Sequence, residues 1–314
     1  MTSVAFADVP IEEPSDEGAQ YNAELAPLEE KWYMLDAADI AFMSQQTGLK
    51  DDELKQHILQ IQKEAYDVHP YPCIRRFVFA RLKISRLPAY QHLLKLGRER
   101  PGALFLDIGC CVGNDVRKAV ADGFPVKQAL ASDLHPEFWD IGHRLFKDTQ
   151  ESFPVPFIPG DAFNNAFLAQ APIPTTAPTA PLPDLSKLTT LTPLVGRLSV
   201  VHASAFFHLF NEAKQTELAL RLAALLAPEP GSMIFGIHGS RPEKGIRVEA
   251  LRPNSHGTRM FCHSPDSWTE LWEKEVFGPG KVRVDTRLIE IERSDLPAAE
   301  GAKFYMMAWS VTRL

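Results

Sequence analysis

Cysteine is scarce: Cys73, Cys110, Cys111 and Cys262 are the only four. Their spacing forms neither a metal-ligand pattern nor a disulfide framework, so no metal is expected. Adjacent Cys110 and Cys111 read as compact apolar residues at a turn. Long hydrophobic runs are missing, which excludes a membrane-spanning helix on the sequence pattern. The acidic opening MTSVAFADVPIEEPSDEGAQ lacks the basic region and apolar core of a signal peptide. Positive charge is in deficit, with 33 Lys and Arg against 40 Asp and Glu, a net charge of −7. No basic stripe with interleaved aromatics exists to meet a phosphate backbone. Nucleic acid and membrane are therefore not expected partners, a reducing cytoplasmic setting is the default, and no internal repeat is found.

What remains is an ordinary globular composition, 45% hydrophobic and 23% charged over 314 residues. That length suits one α/β domain with a helical addition. Residues 1–23 read as a disordered acidic tail, 24–100 as a helical cap and 101–314 as the α/β domain.

The α/β domain is organised around ALFLDIGCCVGNDVRKAV, Ala103 to Val120. A short apolar run ends in Asp107, two glycines flank a turn, and a helical pattern follows with Asn114 as its predicted N-cap. Gly109 and Gly113 let a ligand approach bare backbone, and the helix start directs amide N–H groups at it. Asp107 repels a dinucleotide's pyrophosphate but suits an ammonium, and GxGxxG is absent. The turn alone leaves three readings: an S-adenosylmethionine site, another nucleotide turn, or a structural turn.

Asp51 to Val68 has the apolar spacing of an amphipathic helix, with Leu54, Ile58, Ile61 and Ala65 on one face. A cluster of Arg75, Arg76, Arg81, Lys83 and Arg86 follows, read as a solvated face or as an anion site. Strands are predicted at Gln128–Ser132, within VPFIPGDAFN, at Leu198–Val201 and at Ser232–Ile237, with a final antiparallel pair at Lys281–Glu292 and Lys303–Thr312. Asp133 ends the second strand, where a carboxylate can accept from both ribose hydroxyls. Asp161 can accept from an adenine amino group, with Phe163 on the ring. Residues 171–196 form a Pro-rich surface loop with a lid as one reading. His202, Ser204, Phe206, Phe207 and His208 follow the fourth strand, where a doubly wound sheet places its ligand crevice.

These motifs (LDIGCCVGNDVRK, SDLHPEFWDIGHRLFKD, GDAF, VVHASAFFHLF, LLAPEPGSMIFG and HSPDSWTELWE) resemble the class I S-adenosylmethionine-dependent methyltransferases. They are most similar to fungal O-methyltransferases of meroterpenoid and related pathways. The resemblance implies a Rossmann-like sheet of seven strands, mostly parallel with an antiparallel C-terminal strand, plus the N-terminal cap. It implies a cofactor site at Tyr33, Asp107, Gly109, Cys110, Gly113, Asp133, Leu134, Asp161, Ala162, Phe163, His202 and Ala203. It further implies an acceptor site with Tyr71, Arg75, Arg76, Ser204, Phe206, Phe207 and His263 around a catalytic His208. Cys111 stands where the wider superfamily has glycine.

The expected reaction is O-methylation of a carboxylate on a small aromatic or terpenoid metabolite. Its alternative is a phenol or carbon acceptor with His208 as base. A small-molecule acid or phenol is the expected partner, and a homodimer is left open.

Overall fold

The computed structural model describes residues 27–247, 260–294 and 301–314. The acidic segment 1–23 lies outside them. Four helices precede the first strand: α1 (Ala37–Thr47), α2 (Asp51–Val68), α3 (Pro72–Arg75) and α4 (Tyr90–Glu99). Then come β1 (Phe105–Ile108), α5 (Asn114–Ala121), β2 (Ala129–Ser132), α6 (Pro136–Phe146), β3 (Val200–His202), α7 (Glu212–Leu225) and β4 (Met233–Ser240). A small pair, β5 (Gly245–Ile246) and β6 (Phe261–Cys262), leads to α8 (Pro265–Glu270), which runs on as a π-helical turn over Leu271–Val276. The chain closes with β7 (Val282–Ile291) and β8 (Phe304–Arg313).

The main sheet has the order β2-β1-β3-β4-β8-β7. β1 to β4 are parallel, and β8 runs antiparallel to both neighbours. Successive residues feed opposite faces, as strand geometry requires. Leu106, Leu130, Val201 and Ile234 pack with Leu218 and Leu222 of α7 on one face. Phe105, Ala129, Val200 and Met233 pack with Leu93 of α4 and Val116 of α5 on the other. The predicted apolar stripe of α2 packs on Phe138, Ile141 and Leu145 of α6, and His57 reaches the Leu145 carbonyl at 2.9 Å.

Seven strands were expected and the main sheet has six. The missing one is the stretch around Val155–Ile158, reduced to an isolated parallel bridge between Ala131 and Phe157. Ala131 N–H donates to Pro156 O at 3.0 Å and Ile158 N–H to Ala131 O at 2.9 Å. Pro154, Pro156 and Pro159 surround this bridge, and proline has no N–H with which to extend a ladder.

The Pro-rich loop is not a lid. Arg313 Nη2 donates to Pro174 O at 3.0 Å, Arg197 Nη2 to Ala180 O at 2.9 Å, and Gly196 N–H to Ala224 O at 2.9 Å. Thr312 pairs with Met233, so these anchors lie at the amino-terminal edge of the parallel strands, opposite the expected crevice. Among the described residues no helix is long and apolar enough to cross a membrane.

Candidate cofactor and acceptor site

The glycine turn follows β1 at the carboxyl rim of the sheet. Gly109 and Cys110 both donate N–H to Ser132 O, at 2.9 and 3.2 Å, which stitches the turn to the end of β2. Gly109, Cys111 and Gly113 all have positive φ, at 68°, 51° and 69°. Glycine adopts this backbone readily, whereas cysteine in it costs about 1 kcal/mol. That cost is a physical reason for glycine at the Cys111 position in the superfamily. Asp133 bears on the same point, since its Oδ2 accepts the Cys111 N–H at 2.8 Å.

The N-cap of α5 is Gly113, not Asn114. A left-handed cap suits glycine, and Asn114 is instead buried with Nδ2 donating to Arg81 O. A Cβ on Gly113 would sit 2.6 Å from Trp139 and 2.7 Å from Arg117. Those two side chains therefore form the floor of the turn.

The three expected carboxylates share one rim but have different settings. Asp133 Oδ1 accepts from His135 N–H at 3.1 Å while Oδ2 holds Cys111. Burial raises its carboxyl above the usual range against the pull of these donors. Gly160 donates its N–H to Asp133 O at 3.0 Å, which brings Asp161 alongside. Asp161 is exposed and its Oδ1 turns back to Phe163 N–H at 2.9 Å. Leu134 is exposed beside Asp133, while Cys110 and Ala162 are buried under the rim.

Asp107 is not an open rim carboxylate. It is 2% exposed, and its Oδ1 accepts from His202 Nδ1 at 2.8 Å. Ser204 Oγ lies 2.6 Å from His202 Nε2 and accepts from Ile237 N–H at 3.2 Å. Both imidazole nitrogens are thus consumed inside the sheet. His202 does not face the cofactor space, nor is Ser204 a simple acceptor contact. The reason is register: Asp107 and His202 are direct partners across β1 and β3. The connection has the order of a Ser-His-Asp triad, but with the hydroxyl bridging two strand ends it acts as a cross-link. Asp107 Oδ2 is buried without a partner among the described side chains, and burial raises this carboxyl's pKa.

Aromatic rings line the rim from Asp161 to Gly109. Phe163 meets Phe210 at 4.8 Å and Phe210 meets Phe206 at 5.6 Å, both edge-on. A Cβ on Gly109 would come 3.1 Å from Phe206. Phe210 was missed because one more aromatic in FFHLF carries no signal of its own. Phe207, expected at the acceptor, is fully buried against Trp268 and Trp309, at 4.9 and 5.6 Å. It is a core residue, as is Ala203.

On the cap side, Tyr33 packs edge-on against Phe77 at 5.3 Å. Tyr71 lies 4.0 Å from the His69 ring, which stacks on His135 at 5.3 Å. Tyr71 therefore stands by Asp133; burial, then the Asp133 charge, raise its phenol's pKa. Arg75 faces Trp32, 5.9 Å from its ring, and Arg76 caps α3.

His208 accepts the Gly239 N–H on Nδ1 at 2.8 Å. Its remaining nitrogen, Nε2, then carries the proton. Burial, with Arg247 and Arg293 adding repulsion, lowers its pKa to about 3. His238 and His263 lie nearby, each packed on Trp268, at 4.6 and 5.3 Å. Burial lowers His263 to about 4, and His238 falls well below the usual value, again mainly through burial. His238 was missed because an isolated histidine in a strand reads as core.

These three imidazoles are neutral in the fold and protonatable when unfolded. Between about pH 6.5 and their folded values the unfolded chain binds more protons, so stability falls as pH falls. Between pH 7 and 5 the expected loss is about 2 kcal/mol for each imidazole that stays neutral, about 5 kcal/mol for the three, to be read from urea midpoints. A His263→Asn variant should show a shallower acid limb. An unchanged midpoint down to pH 5 would contradict the neutral cluster.

A parallel sheet with one reversed strand, β8, a glycine turn after β1 and an acidic residue after β2 define a Rossmann-like methyltransferase. Residues 32–80 match the family model described as the meroterpenoid methyltransferase N-terminal domain. The O-methyltransferase atr3 of Stereocaulon alpinum is 32% identical over 265 residues, 82% of this chain and 68% of that protein. The asnovolin E/chermesin D methyltransferase nvfJ of Aspergillus novofumigatus is 32% identical over 263 residues, 83% of each. The solved structure of Burkholderia thailandensis 1,6-didemethyltoxoflavin-N1-methyltransferase is 15% identical, with a TM-score of 0.42 over 85% of this chain and 92% of that one, a likeness too loose to argue from. The chain belongs to the fungal meroterpenoid methyltransferase family.

Proposed function

We propose that the protein transfers a methyl group from S-adenosylmethionine to the carboxylate of a small aromatic or terpenoid acid. The residues fit that donor: a glycine turn, a carboxylate at the end of β2, and the buried unpartnered Asp107 Oδ2. Asp133 would hold the ribose, Asp161 and Phe163 the adenine, and Gly109 to Gly113 the methionine portion. When bound, the donor supplies an electrophilic methyl on a sulfonium. Phe206 and Phe210 exclude water beside it, which in-line displacement needs.

The carrying observation is the Gly239 N–H bonded to His208 Nδ1. It occupies the lone pair that a general base needs and leaves Nε2–H as a donor. A phenol, with a pKa of about 10, needs proton removal, while a carboxyl group, at about 4, is already ionised at neutral pH. His208 therefore orients an anionic acceptor.

A panel of aromatic and terpenoid acids with isotope-labelled donor tests this. The product should release its label as methanol in mild alkali, as an ester does and an ether does not. His208→Gln is expected to lower kcat/KM about tenfold or more, equally from pH 6 to 9. Loss that is rescued at high pH would support the base reading instead.

A further inference from the structure

Asp107 and His202 share the sheet face of Phe105 and Val200, under α4 and α5. An ionised carboxylate only accepts, so the 2.8 Å contact with Asp107 Oδ1 places the proton of His202 on Nδ1. Nε2 is then an acceptor, and it takes the Ser204 O–H at 2.6 Å. Ser204 Oγ is itself held by Ile237 N–H at 3.2 Å, and the Ile237 carbonyl accepts Ala205 N–H at 2.7 Å. Ala205 has a φ of 52°, a left-handed backbone that a residue with a Cβ keeps only where its surroundings hold it. One chain of bonds thus runs from β4 to both sides of the glycine turn. It reaches Asp107, two residues before Gly109, and the loop of Phe206, which a Cβ on Gly109 would meet at 3.1 Å. One acceptor is left over. Asp107 Oδ2 is buried with no partner among the described side chains, a costly state for a carboxylate oxygen. Lys83, whose charge acts on Asp107, is already paired with Asp115 at 3.1 Å.

We propose that His202 and Ser204 are positioning residues for the methyl donor, fixing Asp107 so that Oδ2 alone is offered to the donor's ammonium; this rests on the S-adenosylmethionine reading above. Neither residue touches the donor. An untied carboxylate turns about its bond to Cβ and presents either oxygen at many angles. With Oδ1 held by an imidazole that is itself held at its far nitrogen, the remaining oxygen is presented at one angle, and its ordering is not charged against binding. The ammonium supplies the charge-assisted donor that the fold withholds from Oδ2. Preference for a ligand carrying the ammonium therefore depends on a histidine and a serine in β3 and the loop after it.

Isothermal titration of the whole chain with S-adenosylhomocysteine and with its deaminated analogue, which keeps the adenosine, thioether and carboxylate but has hydrogen in place of the ammonium, tests this. The parent protein is expected to bind S-adenosylhomocysteine about tenfold or more tightly than the analogue. His202→Phe, which removes both ring nitrogens, should erase most of that preference with little change in the analogue's own affinity. His202→Asn, whose amide can donate where Nδ1 does, should restore part of it, and Ser204→Ala should lose part of it; these two serve if the phenylalanine variant does not fold. Asp107→Asn should abolish the preference by itself, and adding His202→Phe should then remove nothing more. A full preference in His202→Phe, or an equal loss for both ligands, overturns the positioning role and leaves the donor reading standing. Equal binding of the two ligands by the parent overturns the assignment of Oδ2 to the ammonium. Binding of neither ligand by the parent overturns the donor reading and the proposal together.

Discussion

Arg117→Ala is expected to destabilise the fold by about 4 kcal/mol, enough to lower Tm by about 10 °C. Arg117 is 1% exposed, a cation fully inside the protein. Nε and Nη2 donate to Asp148 at 2.7 and 3.0 Å, and Nη1 donates to Val112 O at 3.0 Å and Gly113 O at 3.3 Å. The guanidinium carbon lies 5.0 Å from the Trp139 ring, 4.7 Å from Phe146 and 4.6 Å from Phe153. Truncation removes the packing, leaves Asp148 with His143 Nδ1 in place of the guanidinium fork, and takes a donor from two turn carbonyls together. Those three losses fall among the few mechanisms that give effects of this size. Arg117→Lys should fall between, since an ammonium cannot serve a carboxylate and two carbonyls as a fork does. Urea denaturation checks both, and a loss under about 1 kcal/mol for alanine would refute the anchoring role.

Asp133→Ala is expected to weaken S-adenosylhomocysteine binding about 100-fold or more by titration calorimetry, with the circular dichroism spectrum unchanged. Two contributions add. The carboxylate is the acceptor available at the end of β2 for paired hydroxyls, and charge-assisted bonds of this kind run at about 1.5–3 kcal/mol each. It also holds the Cys111 N–H at the strained point of the turn. Asp133→Asn, which keeps an oxygen without the charge, should lose less. Equal affinity in parent and alanine variant would mean that the donor's sugar lies elsewhere.

Much of the fold was legible because it follows from local pattern. The spacing of Leu54, Ile58, Ile61 and Ala65 places α2 at its observed bounds, since 3.6-residue periodicity needs no tertiary information. The order of strand, turn and helix around Asp107 is equally local. The shortfall of one strand is also local in cause, because the prolines near Phe157 remove donors; the motif outweighed them in the reading of the sequence.

The site was legible only as far as its rim. Asp133 follows β2, Phe206 follows β3, and Asp161 and Phe163 follow the isolated bridge at Phe157. Burial and pairing were not legible. Asp107 and His202 are 95 residues apart, and only the register of β1 with β3 turns them into a pair. Phe207 differs from Phe206 in facing Trp268 and Trp309, a distinction that adjacent identical residues cannot carry in sequence.

By itself the sequence determined the class of sheet, the glycine turn and the acidic residues around it, because each is written in contiguous residues whose backbone preferences decide the outcome. Tertiary structure alone decided which groups titrate, which way His208 holds its proton, and which oxygen of Asp107 is left over. A proton's place depends on the single N–H of Gly239, and the carboxylate's on the pairing of β1 with β3. Such pairings arise only when remote segments close on one another.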